Sequence, residues 1–265
     1  MAVLESRTKT GISWVKECLA LFRQSPRKWL LLAFAYISFF IMLPSVPGLQ
    51  IMAFVTILLW PVFIVFAAAL YKNADTGVQR SLADVWAGIK PKVPQLMLIG
   101  LLCLIYGTLM GMFLNGDWEG LMQVAQQKTR MTDAQAALII QKMLPFMLKF
   151  SLLMLPLLMA TWFSPMLVAL NGYFVLKAIK SSIAGCLQYL VAMTVAWLIL
   201  AVGVVSVMLG LGIVLGIIGA LVPVVAEVFT PVLLFMSLLM ATALMLAYQY
   251  VSYRDVFRAA PLLVS

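Results

Sequence analysis

Long apolar runs separated by short polar stretches dominate the chain, and six of them meet the length a helix needs to cross a hydrocarbon core, about 20 residues. They fall at 29–46, 49–71, 95–114, 146–170, 188–209 and 229–251. Pro44 and Pro47 clip the far end of the first run. The sequence Pro44-Ser45-Val46-Pro47-Gly48 then reads as a tight turn into the second, the pattern of a short transmembrane hairpin. The stretch 209–222 is surplus to two spans: apolar, glycine-rich and uncharged, it either lengthens span five or dips partway into the outer leaflet.

A shorter segment with helical periodicity precedes each odd-numbered span. In the first, Ile12, Val15, Cys18, Leu19 and Phe22 share one face, with Ser13, Lys16, Glu17 and Arg23 opposite. In the second, Ser81 and Asp84 form a capping pair ahead of the stripe Leu82, Val85, Trp86 and Ile89. In the third, Phe174, Val175, Ala178, Ile179 and Ile183 face one way, and Lys177, Lys180 and Ser181 the other. Each segment is expected to break or bend before its span, at Pro26, at Pro91 and Pro94, and at Gly185. Their starts lie 70 and 92 residues apart, and the longer interval contains the connection 115–144. The expected architecture is therefore an all-α transmembrane bundle of six helices forming a single domain over 1–265, in three hairpin repeats, each introduced by a cytoplasmic interfacial amphipathic helix. In the extracytoplasmic connection, Thr132 and Gln135 make a capping box, so a short helix over 133–144 ending at Pro145 is expected. Asp117, Trp118 and Glu119 fall at the outer boundary.

Charge gives these spans a direction. Fourteen of the eighteen Lys and Arg residues lie before span one, between two and three, between four and five, or after six. Positive charge favours the cytoplasmic side, so both termini are expected there. Arg23, Arg27, Lys28, Lys90, Lys92, Lys177, Lys180, Arg254 and Arg258 then form a basic collar suited to anionic lipids, or to a membrane-protein partner that includes a second copy of the chain. Asp75 and Asp84 read as solvated charges in a loop. Glu5 and Glu17 interrupt the basic start and no small-residue cleavage site follows span one, so that span is expected to stay as an anchor. The 265 residues are 65% hydrophobic and 10% charged, far from the roughly 45–50% and 25% of soluble domains. Cys18 and Cys186 fall on the basic side and Cys103 within a span, with no CxxC spacing, so reduced thiols are expected.

Candidate chemistry is sparse. With no histidine, imidazole-ligated metal or haem, Ser-His-Asp and Cys-His catalysis are excluded. The chain has no HExxH, GxSxG or phosphate-cradling loop, and its basic residues are not interleaved with stacking aromatics as nucleic-acid binding requires. Met143, Met147, Met154, Met159 and Met166 along span four scatter round the helix, which suits core packing better than a soft-metal site. No cofactor or metal is expected. Glu227 is the one acid in 187–251, and its place between Pro223 and Pro231 leaves two readings: a residue at the outer interface, or an intramembrane proton or cation site. Gly107-xxx-Gly111 and Gly212-xxx-Gly216 are candidates for close helix approach.

Four groups of residues carry a resemblance. They are Trp14, Leu21-Phe22-Arg23 and Pro26 before Trp29-Leu30-Leu31; Trp162-Phe163-Ser164-Pro165-Met166-Leu167-Val168; Lys177-Ala178, Ser181-Ser182 and Cys186; and Tyr250-Val251-Ser252-Tyr253-Arg254-Asp255-Val256-Phe257. In this order they resemble a family of uncharacterised six-span proteobacterial inner-membrane proteins, distantly similar to YciC-like and glycerophosphodiesterase-membrane-domain-like proteins. The resemblance spans nearly the whole chain and implies an all-helical protein of a Gram-negative inner membrane. It carries over no catalytic residue. Leu190-Val191-Ala192 departs from the polar, Asn-containing start of span five usual in that group. The expected function is non-enzymatic: a scaffold, assembly factor or accessory subunit that binds lipid or a membrane partner. The alternative is a small transporter or channel with a path between the hairpins and Glu227 at its outer end.

Overall fold

A computed structural model describes residues 2–125 and 133–258, with side chains over 5–257 apart from 121 and 123–139. These residues are almost wholly helical, without strands, and six helices are long and apolar enough to cross a membrane. Helix α1 (Ala2–Gln24) precedes α2 (Pro26–Ile37), which continues through a π-helical turn, Ser38–Met42, into the short α3 (Leu43–Ser45). Then come α4 (Met52–Thr76), α5 (Leu82–Ile89) and, after a 3-10 turn at Lys90–Lys92, α6 (Val93–Ala125). α7 (Asp133–Trp162), α8 (Ser164–Leu170), α9 (Val175–Gln188), α10 (Leu190–Leu221) and α11 (Pro223–Arg258) complete the chain.

Each irregularity has a local cause. The π-turn brackets Phe40, whose carbonyl the ring of Pro44 would strike in an unbroken α-helix. Gly48 at φ 87° makes the turn into α4, and Gly77 at φ 68° caps its other end. Ser81 and Asp84 form the expected capping box on α5. The third bend lies at Tyr189, not at Gly185, which stays within α9 with the ring of Phe257 against it.

Several expectations change. The stretch 209–222 is not re-entrant: α10 runs unbroken to Leu221. The connection 115–144 is mostly helical extension of its two spans, since α6 continues to Ala125 and α7 begins at Asp133 and passes through Pro145. Thr132 lies outside the described residues. In the resulting hairpin Lys149 pairs with Asp117 at 2.9 Å and Trp118 lies 5.9 Å from Phe146. Both GxxxG pairs are open, with nothing near a Cβ placed at Gly107, Gly111, Gly212 or Gly216. The close approaches fall elsewhere. A Cβ at Gly100 on α6 would sit 2.6 Å from the Leu58 carbonyl oxygen and 2.8 Å from that of Ile57. Pro61, without an N–H, leaves the Ile57 carbonyl unpaired within α4, and the bare glycine lets α6 close over it. Gly11 of α1 likewise rests on the Ala192 carbonyl of α10.

The core gathers at the end of the bundle that carries most of the basic residues. Trp14, Trp29, Tyr71, Phe163, Tyr248 and Tyr250 are buried there, whereas Leu209, Ile213, Ile217, Val224 and Phe229 at the far end of α10 and α11 are exposed. Lipid accepts apolar surface without penalty, so a membrane helix need only bury what its hydrogen bonds and packing require. α1 turns Trp14, Val15, Cys18 and Leu21 onto α10 and α11 and leaves Ile12 at the surface, so its buried stripe is rotated from the expected one.

Candidate functional site

The basic end is assembled around Arg254, one turn beyond Tyr250 on the buried stripe of α11. Its guanidinium donates two hydrogen bonds to the Asp75 carboxylate, at 2.9 and 2.8 Å, and a third to Glu17. The Tyr250 hydroxyl donates to Asp75 at 2.8 Å, and the Trp14 indole N–H to Asp255, also at 2.8 Å. α1, α4 and α11 are thus tied at one point: one guanidinium nitrogen bridges both oxygens of Asp75, the other reaches Glu17, and the Arg254 and Asp75 side chains are each 19% exposed. Arg254 therefore does not belong to an outward-facing collar, and Asp75 is not a solvated loop charge. α4 continues past the apolar run to Thr76, which keeps Asp75 on the inward stripe one turn after Tyr71. Asp84 stays exposed, committed to its cap.

Beneath the ion pair lies an aromatic layer. Trp29 stacks on Tyr71 with centroids 4.0 Å apart, and Tyr71 lies parallel to Tyr250 at 6.4 Å. Each polar tip is satisfied: Trp29 donates to the Leu21 carbonyl, Tyr71 to that of Ala243 and Tyr248 to that of Met193. Cys18 is buried beside this layer, and desolvation, with the neighbouring Glu17 adding, pushes its thiol up to about 12. Burial also pushes Cys186 up to about 12, against a smaller opposing effect of its Ser182 hydrogen bond. All three cysteines are free.

The break at Phe163 is built by a side chain from another helix. The Ser182 hydroxyl of α9 accepts from the Phe163 N–H at 3.0 Å and donates to the Met159 carbonyl at 2.6 Å. It replaces the direct i→i−4 bond of α7 just before Pro165, a documented way to kink a helix. Trp162, at the same point, receives a hydrogen bond from Gln249 on its carbonyl and donates its indole N–H to Ser252. Residues from all four sequence groups named above therefore meet in one core, and their contacts there are structural ones.

Outside this core, Arg23, Arg27, Lys28, Lys90, Lys177 and Lys180 are exposed and Lys92 is half-buried. Lys177 places its ammonium 4.3 Å from the centre of the Tyr173 ring. Arg258 closes α11, and its side chain lies outside the described residues. Among the described residues no ion pair involves Arg23, Arg27, Lys28, Lys90, Lys92 or Lys180. Two adjoining cavities, of about 380 and 880 Å³, share Asn73, Val78 and Arg80; Lys72 also lines the smaller and Lys28 the larger, and among the described residues none of the other collar residues lines either. A third space, about 530 Å³, separates α7 from α10 and α11 within the apolar zone, lined by Trp60, Trp162, Trp197 and Gln249 and by no charged residue.

Glu227 stands apart from all of these. It is exposed in the second turn of α11, beside the α10–α11 turn. Fourteen residues separate it from Ala241, where the lining of the third cavity begins on α11, roughly 21 Å of helix. The methionines of span four do not converge either: Met166 is buried and Met143 and Met147 are exposed. No protein-family model, curated protein or solved structure matches this chain.

Proposed function

We propose that this chain is a non-enzymatic membrane scaffold, assembly factor or accessory subunit whose basic end holds anionic lipid or a membrane-protein partner. One observation carries the reading. At that end Glu17 and Asp75 are turned inward onto Arg254, while the surrounding lysines and arginines point outward. The packed base thus presents a positive rim to whatever lies against it, and each such cation near an anionic headgroup contributes about 1 kcal/mol. By the positive-inside rule the rim faces the cytoplasm, with both termini on that side and the six spans as three hairpins in a bacterial inner membrane. The family resemblance is consistent with this placement. The alternative, a transporter or channel gated by Glu227, has less support. The space between the hairpins carries no charge along its walls, and Glu227 lies well away from it. Such a space suits an acyl chain or an apolar helix.

Extraction in mild detergent, followed by mass spectrometry of co-eluting lipids and proteins, tests the proposal. A stoichiometric anionic lipid, protein partner or second copy is expected. A lone monomer with none of these would overturn it, and so would ion flux in liposomes that Glu227→Gln abolishes.

A further inference from the structure

We infer that the groove between α2, α4 and the 77–82 turn is a site for one anionic glycerophospholipid, its phosphate held among Lys28, Arg80 and Asn73. The inference rests on the proposal that this end of the chain holds lipid, and it narrows that proposal to one place. Two helix stripes converge on the groove. On α2, Lys28 is followed by Leu32 and Ala35 at helical spacing; on α4, Asn73 is preceded by Leu70 and Phe66. Each stripe is polar at the basic end and apolar toward the middle of the span, and Lys28 to Ala35 covers roughly 10 Å of helix. A charged head joined to a hydrocarbon tail has the same polarity over the same length.

The amide of Asn73 supplies a second, independent pointer. Its nitrogen is buried and has no hydrogen-bond partner. A buried donor left unmatched is costly, and Asn73 lines both cavities, so rotation of its amide toward an acceptor at the point where they meet is favoured. Phosphate oxygens are strong acceptors, and Lys28, Arg80 and the adjoining Lys72 give that point a positive field. Asp84, which lines only the smaller cavity, offsets one of these three charges. The larger cavity, about 880 Å³, is within the usual range of small-molecule sites and takes a headgroup with the upper part of one chain.

Native mass spectrometry of the full-length protein tests the site by titration with phosphatidylglycerol, alongside phosphatidylcholine and soluble glycerol 3-phosphate. Wild type is expected to hold one phosphatidylglycerol in preference to phosphatidylcholine, and glycerol 3-phosphate should not displace it at equal concentration. Lys28→Gln with Arg80→Gln should weaken binding about tenfold or more, whereas the charge-keeping Lys28→Arg with Arg80→Lys retains it. Ala35→Trp fills the apolar track from an exposed position, leaves both cations in place, and should also weaken binding. Arg23→Gln with Lys180→Gln, outside the groove, should leave binding unchanged. Equal losses from the groove pair and the outside pair would overturn the discrete site while leaving the broader proposal standing. Displacement by glycerol 3-phosphate, or unchanged binding in Ala35→Trp, would overturn the lipid assignment. Failure of wild type to bind phosphatidylglycerol, with a protein partner co-eluting instead, overturns the site and leaves the partner form of the proposal.

Discussion

Arg254 decides more than any other residue how the basic end is held. It spans two carboxylates on two other helices, so its removal leaves Asp75 largely buried and uncompensated. Arg254→Met should cost on the order of 2–3 kcal/mol of stability in detergent, less than a fully buried pair because part of the cluster is solvated. Adding Asp75→Asn to that variant should restore about half of the loss, since the stranded charge is then gone. Thermal unfolding followed by tryptophan fluorescence reads both, and a single variant indistinguishable from wild type refutes the role. The cysteines give a pH test. Cys18 and Cys186, raised from an ordinary value of 9.0 to about 12, stay protonated at pH 9 in the folded chain. Maleimide labelling at these positions should therefore not accelerate between pH 7 and pH 9 until the protein is unfolded. Because the unfolded thiols ionise near 9 and the folded ones do not, folding loses stability as pH rises above 9.

Helix positions were far more legible in the sequence than helix contacts. The spans follow from hydropathy, which a bilayer imposes on any crossing segment, and the Ser81 capping box follows from local chemistry. Asp75 misled because a polar stretch after an apolar run resembles a loop, yet the helical register carries one turn beyond Tyr71. Asp75 follows Tyr71, and Arg254 follows Tyr250, by four residues, the spacing that keeps side chains on one helix face. The glycines misled for another reason. GxxxG states that a close approach is permitted, and says nothing of whether a neighbour is there. Gly100 has its neighbour because Pro61 opens the backbone of the facing helix, a link across 39 positions that no local pattern carries. Gly100→Ala should accordingly destabilise by about 1–3 kcal/mol as α4 and α6 are forced apart. Gly107→Ala, facing open space, should be neutral or slightly stabilising through helix propensity. Melting temperatures of the two variants in one detergent check the contrast, and equal shifts would contradict the assigned contact.

At the scale of the whole molecule, one end is a packed core and the other depends on what surrounds it. α10 and α11, at 32 and 36 residues, are roughly 48 and 54 Å long, against a hydrocarbon core of about 30 Å. Their buried residues cluster near the basic end, at Ala192 and Ala196 on one helix and from Ser237 onward on the other. Across 202–221 and 224–236 the described side chains are mostly exposed; Gly219 rests on Ala226, and Phe235 meets the Phe34 ring of α2 edge-on at 6.2 Å. In a bilayer, exclusion of water protects both halves. In mild detergent that protection weakens, and internal packing alone should set the rate of amide exchange. Amides over 239–253 are therefore expected to exchange at least about tenfold more slowly than those over 203–221 in detergent, and the gap should narrow in lipid nanodiscs. Exchange mass spectrometry in the two media measures it. Equal protection in detergent would mean that the far half has its own stabilising partner, such as a second copy of the hairpin. Chemical cross-linking under the same conditions would then identify that copy.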